Sequence, residues 1–264
     1  RVGEDFAAYE LRLAALGIRV DGLVVDGPRT SRTIVTYPRG EERHEQPIPD
    51  WEAHVAMRTM AEEFPRSVAA PRGYYVFRGW HPGFWEGLLP IVQAAAAPLL
   101  WEIPGAICLP EHRDRIRDVL GGTAILSINL EEARSLCGPA DEAGLLDALH
   151  ALGAPVVALR RGSRGVVASD GARRVEALPP AGSAVVDVTG AGNAFSGAFL
   201  AAYLHSGRDL EPCVSAAMAA SAVAIGRIGP PPDRAAAREA WRTFRAAVHV
   251  TPVAGWPTRS EEKE

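Results

Sequence analysis

A glycine-rich stretch in the last third of the chain constrains its fold more than any other feature. The apolar residues of Ala184–Val186 predict a short buried strand, and those of Asn193–His205 follow a helical spacing. Gly190 and Gly192 lie between the two segments and permit a sharp turn, because glycine has no Cβ. A strand, a tight turn and a helix N-terminus together favour a bound anion. A Gly-rich turn that only connects two core elements is the alternative.

Strand and helix patterns alternate from residue 71 onward. Strands are predicted at 73–78, 99–103, 124–128 and 156–160, with a hairpin over 165–169 and 173–177, and helices at 85–97, 113–120, 130–137, 141–152, 211–226 and 233–247. This alternation predicts an α/β fold with a mostly parallel sheet and helices on both faces. The ligands of such sheets bind beyond the carboxyl ends of the strands.

Polar residues and glycines lie at or just after the carboxyl ends of four of the predicted strands. They are Glu102; Asn129 and Glu132; Arg160, Gly162 and Gly165; and residues 187–193. We expect these loops to converge on one cleft, because ligand sites of parallel sheets gather at the carboxyl ends of the strands. Simpler interpretations remain open. Asn129 and Glu132 also suit a capping box at a helix start, the glycines after Arg160 suit a tight turn, and Glu102 suits a solvated side chain.

Composition excludes several classes of protein. The 264 residues can bury one sizeable core, while a net charge of −4 and a pI near 6.0 give no reason to expect nucleic acid. Apolar stretches end well short of about 20 residues, so we expect no membrane span. The only lysine is Lys263, which excludes P-loop and protein-kinase mechanisms that need a phosphate-binding lysine. The three cysteines lack metal-ligand spacing and indicate a cytoplasmic protein.

Residues 187–195 read Asp-Val-Thr-Gly-Ala-Gly-Asn-Ala-Phe. This segment resembles the Asp-Thr-x-Gly-Ala-Gly-Asp-x-Phe signature of the PfkB/ribokinase-like carbohydrate kinases. The resemblance implies an anion hole formed by Gly190, Ala191 and Gly192 for the transferred phosphoryl group. It also puts Asn193 where the family has an aspartate that serves as the base for the sugar hydroxyl. A divergent branch of the family with Gly-Ala-Gly-Asn in this place looks closest.

Two further segments resemble sites of the same family. Asn129 and Glu132 match an Asn-x-x-Glu motif that orders phosphate-bound magnesium, so Glu132 is implied to act on the metal through water. Residues 160–165 resemble the Thr-Leu-Gly-x-x-Gly nucleotide loop, with arginine in place of threonine. The resemblance therefore implies that Arg160, Gly162 and Gly165 bind the nucleotide.

Three single residues are further candidates for binding ligands. Asp187 and Thr189 match positions whose backbone carbonyls bind a monovalent cation, such as potassium, in related kinases. Glu102 is a candidate for contact with a polar substrate. The resemblance covers roughly residues 1–232 and implies ATP with Mg²⁺ as cofactors. It implies a ribokinase-like three-layer sandwich, with a mostly parallel central sheet and a small β lid.

The resemblance also predicts the domain organisation. One ribokinase-like α/β domain is expected over residues 1–250, with lid-like strands within 18–46 and a tail over 251–264. An ordinary surface hairpin accounts for the lid-like strands equally well. The early elements are predicted as a helix over 5–16, strands over 18–25, 33–37 and 43–46, and a turn at 38–40. Relatives usually begin with a strand before the segment that residues 2–5 resemble, so we expect that N-terminal strand to be missing.

Two hypotheses of function follow. The first is an ATP-dependent phosphotransferase of the carbohydrate kinase family that acts on a sugar or nucleoside hydroxyl. Asn193 could hold such a hydroxyl but could not take its proton, and a general base typically contributes about a hundred- to ten-thousandfold. The second is a catalytically inactive, kinase-derived scaffold that binds a nucleotide or metabolite. The expected partners are a nucleotide and a small polyol, sugar or nucleoside, without nucleic acid or membrane, and a homodimer is left open.

Overall fold

The computed structural model describes residues 1–36, 44–56, 58–66 and 70–253. The chain divides into two compact units, residues 1–69 with 232–234 and residues 70–231 with 235–264. The predicted turn at 38–40 lies outside the described residues, as do the end of the predicted strand 33–37, the start of the predicted strand 43–46, and the tail from 254 onward.

The first unit contains a two-stranded sheet and short helices. In chain order its elements are α1 (Ala7–Ala15), β1 (Arg32–Thr36), β2 (His44–Ile48) and α2 (Trp51–Ala56), with 3₁₀ turns at Glu4–Phe6 and Ala61–Arg66. The strands β1 and β2 pair antiparallel. The predicted strand over 18–25 is wrong, because these residues are irregular apart from a turn at 21–22, and only Val25 makes a strand-like bridge, to Val2. The pair Asp21-Gly22 favours a turn in the middle of this segment, which explains the interruption.

The second unit is built on a seven-stranded sheet. Its strands are β3 (Tyr74–Phe77), β4 (Leu99–Glu102), β5 (Ile125–Asn129), β6 (Val156–Arg160), β7 (Val166–Ser169), β8 (Arg174–Ala177) and β9 (Val250–Pro252). Its helices are α3 (Pro82–Ala95), α4 (Arg113–Leu120), α5 (Leu130–Cys137), α6 (Glu142–Ala151), α7 (Ala191–Tyr203), α8 (Leu210–Ile225) and α9 (Arg234–Ala247). Three 3₁₀ turns, Gly105–Ile107, Pro110–His112 and Gly162–Arg164, complete it.

The order of the strands in this sheet follows the chain from β3 to β9. The strands β3 to β6 are parallel, and each of β7, β8 and β9 pairs antiparallel with the strand before it. The strands β3 to β6 and β8 therefore point one way, while β7 and β9 point the other. The predicted α/β fold with a mostly parallel sheet is confirmed.

Helices cover both faces of the parallel strands. Phe199 of α7 and Val214 of α8 lie in one buried cluster with Leu100 of β4. The next side chain along the strand, Trp101, points to the other face, where its ring lies 5.0 Å from that of Trp85 in α3. Side chains alternate between the faces of a strand, so β4 is buried throughout because both faces are covered. None of the helices in the described ranges has the length and apolar character that crossing a membrane requires.

The segment before α7 differs from its prediction. The predicted buried strand over 184–186 is wrong, because the segment pairs with no strand of the described chain and its valine side chains are more than half exposed. The amides of Val186 and Asp187 donate instead to the carbonyl of Ile225, at 2.7 and 3.1 Å. That carbonyl is at the end of α8, where helical carbonyls lack partners within the helix. The helix α7 begins at Ala191, two residues before the predicted start.

Candidate active site

Arg160 joins the ends of three neighbouring strands. It ends β6, and its Nη1 lies 2.9 Å from Oε1 of Glu102, which ends β4. Its Nη2 lies 3.8 Å from Oε2 of Glu132, in the first turn of α5 directly after β5. None of the three side chains is more than 16% exposed. The sequence predicted each of them for the carboxyl edge of the sheet, and the structure brings them together.

The formal charges of this group do not cancel. Arg160 carries one positive charge, and Glu102 and Glu132 carry two negative charges, which leaves a net charge of −1. The Nε of Arg160 is buried without a hydrogen-bond partner in the part of the chain that the structure describes. A buried charge is costly without a partner, so the carboxylates stabilise the guanidinium where it lies. The remaining negative charge favours a bound cation beside the group.

The described residues contain no cluster of three or more His, Cys, Asp or Glu side chains that could hold a metal ion. A magnesium ion at this edge would therefore take most of its ligands from phosphate and water, as magnesium commonly does. One carboxylate that acts through water, such as that of Glu132, fits a metal held in this way.

Asn129 and Glu132 form the capping box that the sequence allowed. The Glu132 amide donates to Oδ1 of Asn129 at 2.8 Å, and the Asn129 amide donates to Oε2 of Glu132 at 2.8 Å. These reciprocal bonds satisfy amides at the start of α5 that have no partner within the helix. They also fix the Glu132 carboxylate at the sheet edge beside Arg160. The capping interpretation is confirmed, and the magnesium interpretation stays a prediction.

Asn193 is connected to Glu102 through Tyr75. The side-chain Nδ2 of Asn193, in the first turn of α7, donates to the hydroxyl oxygen of Tyr75 at 2.8 Å. That hydroxyl donates in turn to Oε2 of Glu102 at 2.6 Å. Glu102 therefore accepts from Tyr75 with one oxygen and pairs with Arg160 through the other. We call Tyr75, Glu102, Glu132, Arg160 and Asn193 the Arg160 cluster.

Tyr75 is the member of this cluster that sequence reasoning missed. It lies inside β3, where an aromatic residue fits the apolar pattern of a strand, so no loop motif marks it. The one signal in the sequence that could have identified Tyr75 as a site residue is its hydroxyl, in a strand beside the predicted site. Burial, together with the negative charge and the hydrogen bond of Glu102, raises the pKa of Tyr75 well above its usual value. Tyr75 is therefore a neutral phenol, and it donates its proton to the carboxylate.

The start of α7 lies against the same cluster. Gly190 precedes the helix with a φ of 83°, in the left-handed region that favours glycine. A Cβ on Gly192 would overlap the guanidinium of Arg160 and lie 2.9 Å from Oε1 of Glu102. The hydroxyl of Ser221 in α8 donates to the carbonyl of Ala191 at 3.1 Å and fixes this end of the helix. The amides of the first helical turn are thus held beside Arg160.

The remaining predicted residues have local partners. Gly162 and Gly165 form the turn between β6 and β7, where the Gly165 amide donates to the Gly162 carbonyl at 3.0 Å. Gly165 has a φ of 81°, and a Cβ there would overlap the carbonyl of Ala177. The tight-turn interpretation accounts for both glycines. The Asp187 carboxylate accepts from the Thr189 amide at 2.9 Å, and hydrogen bonds from that amide and the Thr189 side chain hold the pKa of Asp187 below its usual value.

This arrangement combines three chemical elements at one sheet edge. A helix N-terminus offers amides to an anion, a guanidinium lies beside it, and buried carboxylates are available to balance a cation or accept a proton. Such a combination suits the transfer of a charged group, which depends on positioning and on charge stabilisation.

Solved kinases share the fold. A candidate ribokinase II from E. coli, in its apo form, has a TM-score of 0.72 and 23% identity, covering 92% of this chain and 80% of its own. An E. coli ribokinase II structure in complex with ATP and Mg²⁺ has a TM-score of 0.69 and 22% identity over the same shares. The nucleoside kinase of Methanocaldococcus jannaschii has a TM-score of 0.62 and 20% identity, covering 92% of this chain and 79% of its own. These similarities establish the fold.

Sequence similarity identifies the family. The cytidine kinase of Thermococcus kodakarensis is 40% identical over 105 residues, which are 39% of this chain and 37% of that protein. The match therefore spans little more than a third of the relative's length. The profile of the pfkB family carbohydrate kinases matches residues 1–234, which is most of the chain. A ribokinase-like fold, with the Gly-Ala-Gly-Asn segment at the carboxyl edge of its sheet, agrees with that match. The chain belongs to the pfkB family of carbohydrate kinases.

Proposed function

We propose that this protein transfers the terminal phosphoryl group of ATP to a hydroxyl of a nucleoside or sugar. The observation that carries the proposal is the contact between the start of α7 and the Arg160 cluster, where Gly192 leaves room for the guanidinium. Amides and a guanidinium that face one space favour a phosphoryl group there. The family supports a kinase, and the cytidine and nucleoside kinases among the similar proteins favour a nucleoside as the acceptor.

The phosphoryl group is assigned to the amides of Gly190, Ala191 and Gly192. Asn129 and Glu132 hold the water shell of a magnesium ion, which when bound neutralises part of the phosphate charge. The net negative charge of the Arg160 cluster supports this role. ATP without a metal ion would add further negative charge to a site that is already negative, and a magnesium ion would offset it. One of the similar solved structures contains ATP and Mg²⁺.

The rest of the nucleotide is assigned to the turn that contains Gly162 and Gly165. The carbonyls of Asp187 and Thr189 are the proposed site of a monovalent cation. A potassium-dependent rise in nucleotide affinity would support that site, and equal affinity in potassium and in choline buffers would count against it.

Asn193 is assigned to the acceptor hydroxyl. Its Nδ2 donates to Tyr75, so its Oδ1 is the atom that can accept a hydrogen bond from the substrate. An amide oxygen holds the hydroxyl but does not take its proton at neutral pH. Positioning and charge stabilisation supply most of the rate in phosphoryl transfer, so activity is compatible with asparagine at this position.

Two measurements test the proposal. Calorimetry with ATP is expected to show binding that depends on magnesium and is lost when EDTA is added. Phosphate transfer is then followed over a panel of nucleosides, pentoses and hexoses, where we expect turnover with at least one nucleoside. Absence of heat and of any shift in Tm with saturating ATP and magnesium would contradict the nucleotide site.

The second candidate function is a nucleotide-binding scaffold. It is favoured by one observation, which is that Asn193 cannot act as a base. Binding of ATP without turnover of any acceptor would support the scaffold, and steady turnover would exclude it.

A further inference from the structure

We propose that Tyr75 and Glu102 form a proton relay that replaces the aspartate base of the family signature. This inference rests on the proposed function, because it concerns the acceptor hydroxyl of the same reaction. In the relay, the acceptor hydroxyl turns its single proton from Oδ1 of Asn193 to the Tyr75 oxygen. Tyr75 takes that proton and passes its own proton to Glu102. Glu102 is the terminal proton acceptor.

The first support is the position of Tyr75 between an exposed and a buried group. Asn193 is exposed, whereas Glu102 is only 4% exposed, and Tyr75 bonds to both. One oxygen of Glu102 pairs with Arg160 and the other accepts from Tyr75, and the burial of Glu102 limits the direct approach of a substrate hydroxyl to this carboxylate. The Tyr75 oxygen carries two lone pairs. One accepts from Asn193, and in the relay the other accepts from the substrate hydroxyl.

The second support is the chemical type of residue 193. The single proton of Tyr75 is already donated to Glu102, so the Tyr75 oxygen can only accept from residue 193. Asparagine supplies the N–H donor that this oxygen needs. An ionised aspartate has none, and it would compete with Glu102 for one proton. The residue that departs from the family signature therefore fits a site whose proton acceptor is Glu102.

The step balances in atoms and charge. The hydroxyl O–H bond breaks as the new O–P bond forms, and ADP leaves with the electrons of the old O–P bond. The hydroxyl proton moves to the Tyr75 oxygen, and the Tyr75 proton moves to Oε2 of Glu102. Glu102 then becomes a neutral carboxylic acid, while Arg160 keeps Glu132 as a negative partner. Loss of one proton to water restores the starting state.

Groups from four other elements lie around Glu102 and its ion pair. Arg160 faces it from β6 and Tyr75 from β3, while Glu132 of α5 faces Arg160. The start of α7 lies on the remaining side, with Gly192 closest.

The test compares two tyrosines that are neighbours in β3. Tyr75→Phe removes the relay but leaves Glu102 paired with Arg160. Tyr74→Phe is the matched control, because successive side chains of a strand point to opposite faces. Tyr75→Phe is expected to lower kcat by at least about a hundredfold, the low end for loss of a general base. Its Kd for ATP with magnesium should stay within about threefold of wild type, well under the tenfold that 1.4 kcal/mol would give.

Two further variants make the test specific. Glu102→Gln should lower kcat about as much as Tyr75→Phe does, because the terminal proton acceptor is gone. The double variant Tyr75→Phe with Asn193→Asp should have a kcat at least about tenfold above that of Tyr75→Phe, since a carboxylate at 193 then acts on the hydroxyl directly.

The outcomes separate the relay from the proposed function. If the wild type turns over and Tyr75→Phe keeps the wild-type kcat, the relay is overturned and the kinase function stands. Loss of nucleotide affinity along with kcat in Tyr75→Phe would give Tyr75 a structural role and also overturn the relay. No turnover by the wild type over the whole acceptor panel would overturn the proposed function, and the relay with it.

Discussion

Replacing Gly192 with alanine is expected to disturb the site while the fold persists. The new Cβ would overlap the guanidinium of Arg160 and lie 2.9 Å from Oε1 of Glu102. A guanidinium is the end of a flexible side chain, but here it is held by an ion pair of 2.9 Å and is only 16% exposed. Arg160 must therefore move, and its contact with Glu102 must lengthen.

The size of the effect follows from the contacts that change. Removing one partner of a buried ion pair costs about 3 to 5 kcal/mol. Gly192→Ala displaces Arg160 and removes neither partner, so we expect the smaller cost of overpacking, about 1 to 3 kcal/mol. Helix propensity favours alanine over glycine by about 0.8 to 1.0 kcal/mol and offsets part of that cost. The net loss, up to about 2 kcal/mol, should lower Tm by up to about 8 °C in a domain of this size.

Gly197 in the same helix is the matched control. A Cβ at Gly197 meets no atom within 4 Å in the described structure, so Gly197→Ala should raise Tm by about 1 to 4 °C. Thermal denaturation and calorimetry with ATP and magnesium are measured for the wild type and both variants. Gly192→Ala should weaken nucleotide affinity at least about tenfold, which corresponds to 1.4 kcal/mol. A Gly192→Ala protein that melts and binds nucleotide like the wild type would refute the reasoning.

Three further predictions follow from single contacts. Asn193→Asp alone should not raise kcat as much as tenfold, because it removes the N–H donor to the Tyr75 oxygen and competes with Glu102 for the Tyr75 proton, and a gain of about tenfold or more would put the base at residue 193. Ser196→Ala should cost about 1 to 3 kcal/mol by leaving the buried Ser127 hydroxyl without its 2.9 Å partner, whereas the double alanine variant should be nearly neutral in urea denaturation. Burial alone would raise the pKa of Asp170, but hydrogen bonds from Arg173 and from backbone amides lower it on balance. Asp170→Asn should therefore destabilise at pH 7, and the difference from wild type should shrink as the pH falls below about 4, where the unfolded carboxyl is protonated.

The sequence predicted where the site would form. The alternation of strands and helices predicted a mostly parallel sheet, and such a sheet brings the carboxyl ends of its strands to one edge. Glu102, Asn129, Glu132 and Arg160 were predicted there because each follows or ends a strand. Except for the segment before α7, the boundaries of the predicted elements from residue 71 onward lie within three residues of the observed ones.

The contacts within the site could not be predicted in the same way. The pair between Arg160 and Glu102 spans β5, so it depends on the order of strands in space and on the reach of a long side chain. Tyr75 fits the apolar pattern of its strand, and no local signal separates a packed tyrosine from one that bonds across the sheet edge. The error over 184–186 has a related cause. Three apolar residues show no periodicity that distinguishes a strand from an extended segment bonded to a helix end.

Gly192 and Asn193 constrain the site for different physical reasons. Position 192 has no side chain because the guanidinium of Arg160 lies where a Cβ would be, so any larger residue separates Arg160 from Glu102. At position 193 the constraint is on hydrogen-bond type. The Tyr75 oxygen has already directed its proton to Glu102 and needs a donor from the helix. Asparagine is close in shape to aspartate but brings that donor. The effect of Asn193 on the chemistry therefore depends on Glu102, the buried carboxylate that accepts from Tyr75. The identity of residue 193 alone does not decide whether the site can take a proton from the acceptor hydroxyl.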